Sequence, residues 1–263
     1  MEQYDKFVLD TAVKAGRILL ASGAEIYRVE ETIKRISRYY GMDASSSFVL
    51  SSGIFLTAEN QQNEIYAQVK HIPLAGVQLC KVAEVNKLSR EIEEGRWTVE
   101  EAWVHLEEIE HMAGKRAYTR MAASGLGAAC FCYVAGGNIW DSLAAFAAGL
   151  LLYVFILWAE KRERPMSKIV LNIAGGFLAT FLSVVLYKIG LGSNLSAIVI
   201  GAIMPLLPGV SFVTSIRELA DSNYIAGSVR MLDTLIVTCG IAIGVGLVYI
   251  LYHRLTGGIM LCS

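Results

Sequence analysis

The spacing of apolar residues changes along this chain, and each change predicts a different element. Tyr4, Phe7, Val8, Thr11, Ala12, Ala15, Ile18 and Leu19 recur at intervals of three and four, the signature of an amphipathic helix; Ser22-Gly23 ends it. Ile26, Val29, Ile33, Ile36 and Tyr40 share one face of a second helix over about 25–40, where Glu30–Lys34 and Glu31–Arg35 form acid-first i, i+4 pairs. The runs 48–58 and 64–72 are strand-like, and the polar turn Glu59-Asn60-Gln61-Gln62-Asn63 between them predicts a hairpin. Pro73 and Gly76 punctuate the chain before a helix from about 77 to 94, which Gly95 ends. Thr98-Val99-Glu100-Glu101 has the capping-box pattern and opens a last helix to about Met112. Residues 1–116 thus predict a small α+β domain of four helices and a β-hairpin.

Residues 117–263 follow another pattern. A membrane-spanning helix needs about 20 mostly apolar residues, because the hydrocarbon core is about 30 Å thick. The stretches 121–139, 142–159, 169–187, 195–216 and 234–252 meet that length with no Asp, Glu, Lys, Arg or His. The fold class expected is therefore an α-helical membrane protein with about five transmembrane helices preceded by the α+β domain. Of the chain's 47 Lys, Arg, Asp and Glu residues, residues 1–116 carry 32, so this asymmetry is more informative than the net charge of −1. Acids match bases throughout the first part, which gives no footprint for nucleic acid.

Cations set the expected orientation. Lys115, Arg116 and Arg120 precede the first span; Lys161, Arg162, Arg164 and Lys168 lie between the second and third; Arg217 and Arg230 flank the segment between the fourth and fifth. The opposite loops carry only Lys188 and Arg254. This places residues 1–116 in the cytoplasm and the C-terminus outside a plasma membrane. The opening Met1-Glu2-Gln3-Tyr4-Asp5 lacks the basic and apolar segments of a secretory signal.

Small residues such as Gly125, Gly127, Gly175, Gly176, Gly240 and Gly244 point to close helix packing. The fourth span is different, reading Gly201-Ala202-Ile203-Met204-Pro205-Leu206-Leu207-Pro208-Gly209-Val210-Ser211. Two prolines remove two backbone donors and clash with the preceding turn, so a break with freed carbonyls is expected, facing protein or a watery cavity. Broken helices near the midplane commonly hold the substrates of transporters; a plain proline kink is the alternative. Pro205, Pro208, Gly209, Ser211 and Thr214 form the expected path, with Arg217 and Glu218 at its inner mouth, where Arg217 and Asp221 are spaced to pair. Asn172 and Asp233 are further polar groups near span starts, Asp233 a candidate for proton coupling, and Asp141 lies just before the second span.

Other chemistry is weaker. Cys130 and Cys132 read as small buried hydrophobes, and the five cysteines show no disulfide spacing. His105 and His111, with Glu107, Glu108 and Glu110 around them, are six apart and so sit on different helix faces rather than forming a metal site. No phosphate loop, nucleophile elbow or paired catalytic acids stand out; neither an enzyme nor a bound cofactor is expected.

Ser22-Gly23-Ala24-Glu25-Ile26-Tyr27-Arg28-Val29-Glu30, and Pro205-Leu206-Leu207-Pro208-Gly209 followed by Ile216-Arg217-Glu218-Leu219, resemble the threonine/serine exporter family. Asn86-Lys87-Leu88-Ser89-Arg90 and residues 95–106 fit the same pattern. The resemblance implies a cytoplasmic N-terminal domain, five spans, and export of threonine, serine or a dicarboxylate such as succinate. It also implies a second, shorter membrane subunit supplying further spans, a second copy of the chain being the alternative. Glu218 departs from the shorter acid of the family pattern. Glu25, Arg28 and Glu30 are the expected cytoplasmic vestibule or docking surface. The competing functional reading is a membrane-anchored sensor or regulatory subunit whose cytoplasmic domain binds a ligand or partner.

Overall fold

Helix α1 (Glu2–Ala21) buries the face picked out by its periodicity, with Val8, Ala12, Ala15 and Leu19 fully inaccessible. The structure, a computed structural model, describes residues 2–59, 65–72, 76–161 and 167–256. α1 packs along α2 (Ile26–Tyr39), whose buried face is Ile26, Val29, Ile33 and Ile36. Removing each such aliphatic side chain from water stabilises the fold by about 1.5–3 kcal/mol. Three antiparallel strands follow in the order β1 (Asp43–Leu50), β2 (Gly53–Glu59), β3 (Ile65–His71). Val49, Ile54 and Leu56 point into the same core, while the cross-strand row Phe48, Phe55 and Val69 is exposed. Helices α3 (Leu79–Glu93) and α4 (Val99–Glu110) add Leu88, Ile92 and Leu106. Gly95 ends α3 with φ 78°, and the Thr98–Glu101 capping box opens α4 with both reciprocal hydrogen bonds formed.

The sheet corrects the expected two-stranded hairpin. The run 48–58 is divided between β1 and β2, Leu50 pairing with Gly53 across a two-residue turn at Ser51-Ser52. A tight turn of this length leaves the apolar alternation on both sides almost uninterrupted, so the pattern alone reads as one strand. Asn60–Asn63 and Pro73, expected in turns, lie outside the described residues.

The chain divides into two compact units, Met1–Gly114 with Val210–Met231, and Lys115–Gly209 with Leu232–Ser263. The second is helical. It contains α5 (Ala117–Val134), α6 (Ile139–Glu160), α7 (Lys168–Lys188), α8 (Leu195–Ile203) and the later turns of α10 (Tyr224–Thr256); α9 (Gly209–Ala220) falls almost wholly in the first unit. α8 packs against α5, α6 and α7. A Cβ on Gly201 would stand 2.4 Å from the Ala128 carbonyl oxygen, and one on Gly244 would stand 2.2 Å from that of Ile173, so glycine sets both approaches.

Among the described residues, three helices are long and apolar enough to cross a membrane: Ile139–Glu160, Lys168–Lys188 and Tyr224–Arg254. A fourth is added if Leu195–Leu206 and Gly209–Ala220 make one crossing. α5 is not among them. The stretch expected as helix over 121–139 ends at Val134, because Gly136 takes φ 90° and Asn138 caps α6 in a reciprocal box with Asp141. Cys130 is also a correction: it is exposed while Cys132 is buried, since residues two apart on a helix face different ways. Arg162 and Arg164, used above for orientation, lie outside the described residues.

Candidate functional site

Two segments nearly 200 positions apart in sequence meet within the first unit. α1 stops where Gly23 takes φ 79°, and α2 begins at Ile26 behind Glu25, an N-cap in extended conformation whose side chain does not cap its own helix. The Glu25 carboxylate instead accepts from Arg28 Nε at 2.9 Å and from Arg217 of α9 at 2.5 Å. Its burial alone would raise its pKa; the hydrogen bonds from Arg28 and Arg217 outweigh that and hold it below its ordinary value.

Glu218, next in sequence to Arg217, is 1% exposed. It lies beside the backbone N–H of Ile26 and 3.3 Å from the Arg230 guanidinium. Arg230, also buried, donates to the carbonyls of Gly23 at 3.2 Å and Ala24 at 3.3 Å. An acid is thus set at the N-terminal end of α2 and a cation against carbonyls just past the C-terminal end of α1, as the helix dipoles favour. α9 and the first turns of α10 grip the α1–α2 loop through these charges, and Ala226 of α10 joins the same apolar core. Thr214 is buried on α9 and Ser211 is half-buried there.

The spacing of Arg217 and Asp221 permitted a pair, but Arg217 bonds Glu25. Glu25 is only 12% exposed whereas Asp221 is exposed, and shielded charges are less screened. Glu30 does not join the cluster; it accepts from the backbone N–H of Val49 and ties β1 to α2.

The break before α9 forms as the two prolines require, with a different outcome for its carbonyls. α8 tightens into a 3-10 turn at Met204–Leu206, and Leu207 is extended. Pro205 has no N–H for the Gly201 carbonyl, and Met204 N–H takes it. Pro208 has none for the Met204 carbonyl, and Leu207 N–H takes it at 3.1 Å. Donors one residue earlier thus satisfy the two carbonyls expected to be free, because a 3-10 turn bonds over three residues rather than four.

Within the second unit, Met204 and Pro205 form one wall of an open pocket of about 330 Å³. Arg120, Ser124, Phe131 and Tyr153 form much of the rest. Arg120 Nε donates to Tyr153 Oη at 2.6 Å, and its terminal nitrogens donate to the Glu160 carboxylate at 3.3 and 3.1 Å. Ser124, Tyr153 and Glu160 were not singled out from the sequence. Nothing marks a serine or tyrosine inside an apolar run until another helix is laid beside it.

Of the remaining expected residues, Asn172 donates to the Lys168 carbonyl one turn earlier, and Asp233 lies 3.9 Å from Lys168, its side chain about half exposed. Gly209 is exposed with open space around it. Asp141 is buried and accepts N–H bonds from Asn138, Ser193 and Asn194 at 2.6–2.9 Å, which joins the start of α6 to the loop before α8. His105 stacks on Trp97 and pairs with Glu108, while His111 contacts the Glu107 carbonyl. Among the described residues, no three His, Cys, Asp or Glu groups are placed to hold a metal.

A family model described as "Putative threonine/serine exporter" matches residues 10–252. The chain is similar to the "Threonine/serine exporter" of Corynebacterium glutamicum, 26% identical over 91% of this chain and 50% of that protein. It is similar to the "Probable threonine/serine exporter" of Mycobacterium tuberculosis, 22% identical over 90% of this chain and 45% of that protein. It is also similar to "Pheromone-regulated membrane protein 10" of Debaryomyces hansenii, 26% identical over 90% of this chain and 24% of that protein. The chain spans half or less of the length of these relatives. No solved structure matches it.

Proposed function

Because the chain belongs to the threonine/serine exporter family, we propose that it is one half of a secondary exporter of small hydrophilic metabolites. The solute is an amino acid of the threonine/serine type or a dicarboxylate such as succinate. The observation that carries this reading is a family match running through both compact units. Relatives of about twice the length carry further sequence on one chain; here a shorter membrane subunit, or a second copy, completes the path.

Five crossings through a plasma membrane place the first unit in the cytoplasm and the end of α10 outside. Support comes from the cations between crossings and from the bonds that tie Arg217 and Arg230 to Glu25, Gly23 and Ala24. Those bonds require residues 217–230 to share a compartment with the α1–α2 loop. Pro205, Pro208, Gly209, Ser211 and Thr214 line the solute path, with Asn172 and Asp233 along it. Arg217 and Glu218 stand at its inner mouth, held by the vestibule residues Glu25 and Arg28; Glu30 supports them through β1. The energy source is a proton or ion gradient, or the solute's own gradient.

The test is efflux of labelled serine, threonine and succinate from cells carrying this chain alone, the shorter subunit alone, and both. Efflux of at least one solute is expected with both where the shorter subunit completes the path, and with this chain alone where a second copy does. If no solute moves faster in any combination, the export reading is wrong.

A further inference from the structure

We propose that the open pocket beside the Met204–Pro205 turn receives the solute's carboxylate, and that Arg120 binds it; this rests on the export reading above. A guanidinium has five N–H donors in a planar fork. Among the described residues, three are engaged: one by Tyr153 and two by Glu160. One donor on each terminal nitrogen is left over, and because these two point to opposite sides of the guanidinium, the solute's carboxylate takes a single charge-assisted hydrogen bond from one of them.

Three features make the pocket suit a small carboxylate. Tyr153 and Glu160 fix the fork before the ligand arrives, which lowers the entropy lost on binding. Glu160 also neutralises Arg120, so the site is tolerated at a membrane boundary without a bound anion. Its volume of about 330 Å³ lies at the low end of the about 300–1,000 Å³ usual for small-molecule pockets. A Cβ on Gly127 would meet nothing within 4 Å, and the Ser124 hydroxyl, which donates to the Gly149 carbonyl, keeps lone pairs for a ligand donor. Arg120 lies in the first turn of α5 and Glu160 ends α6. On the proposed orientation both are at the cytoplasmic end, where an exported solute enters.

The experiment is arylglyoxal modification of the full chain in lipid vesicles, read at single arginines by peptide mass spectrometry. It is run with serine, with succinate, and with ethanolamine, which has serine's amine and hydroxyl but no carboxylate. At ten times its dissociation constant, the true solute slows modification of Arg120 about tenfold and leaves the exposed Arg96, which pairs with Glu94, unchanged. Protection by serine alone marks the site for amino acids; protection by succinate alone marks it for dicarboxylates. If neither protects Arg120, or ethanolamine protects as well as serine, the site is refuted. Efflux measured in parallel in the cells described above, with the completed path, separates the two readings. Efflux without protection removes Arg120 and leaves export standing, whereas protection without efflux keeps the carboxylate site and removes export. With a transporting pair, Arg120→Lys is expected to raise KM about tenfold with little change in the maximal rate, because Lys keeps the charge but lacks the planar fork.

Discussion

Glu218 and Arg230 are each nearly inaccessible and face one another at 3.3 Å. Removing one partner of a buried ion pair leaves an uncompensated charge, which costs about 3–5 kcal/mol. Glu218→Ala should therefore lower the melting temperature of the detergent-solubilised chain sharply. Glu218→Gln combined with Arg230→Met should recover part of that loss; an unchanged melting curve in the single variant would show that the pair carries no stability. Glu25 gives a pH prediction. Its folded pKa is depressed, so its stabilising contribution is complete above the unfolded value of about 4.3 and is lost as pH falls through the folded value. The melting difference between wild type and Glu25→Gln should shrink as pH is lowered from about 6 to about 3; a constant difference would mean the Glu25 carboxylate contributes nothing through its charge. Single residues such as these were visible in the sequence as charges, but their partners were not. Arg217 had Asp221 four positions away and bonds Glu25 instead, because burial rather than spacing decides which ion pair is strong.

Elements were more legible. The capping box at Thr98–Glu101 and the stop at Gly95 follow from local chemistry and appear as read. Thr98→Ala should cost about 0.5–2 kcal/mol by loss of the cap, measurable as a lowered denaturation midpoint. Close helix packing in the second unit rests on glycine at specific contacts. Gly244→Val would drive a side chain into the backbone of α7, where a Cβ alone already comes 2.2 Å from a carbonyl oxygen. Overpacking of that kind typically costs about 1–3 kcal/mol, so the variant should melt earlier, and one that melts normally would show that α7 and α10 can separate freely. The Ser51-Ser52 turn was missed because a two-residue connection hardly disturbs alternation. The break at Pro205–Pro208 was readable, since proline's missing donor is a local property; the rewiring of Gly201 and Met204 carbonyls was not.

For the whole molecule, the main observation is that Val210–Met231 packs with Met1–Gly114. A fragment of residues 1–114 would leave the site of Ala226 open and the Gly23 and Ala24 carbonyls without Arg230. Joining residues 210–231 to that fragment through a flexible linker should raise its melting temperature and reduce aggregation; equal behaviour of the two fragments would show that the grip is dispensable. The sequence by itself determined the class of each half, because burial in lipid and burial in a small water-exposed core demand different periodicities and charge densities, and these are properties of contiguous stretches. It also determined the helix caps and the proline break, whose causes lie within a few residues. Only the tertiary structure decided that residues 22–28 and 217–230 form one charged junction, that β1 and β2 are separate strands, and that Arg120, Ser124, Tyr153 and Pro205 surround one pocket. Contacts between distant positions depend on how helices pack in three dimensions, and a single chain of letters does not encode that in any local pattern.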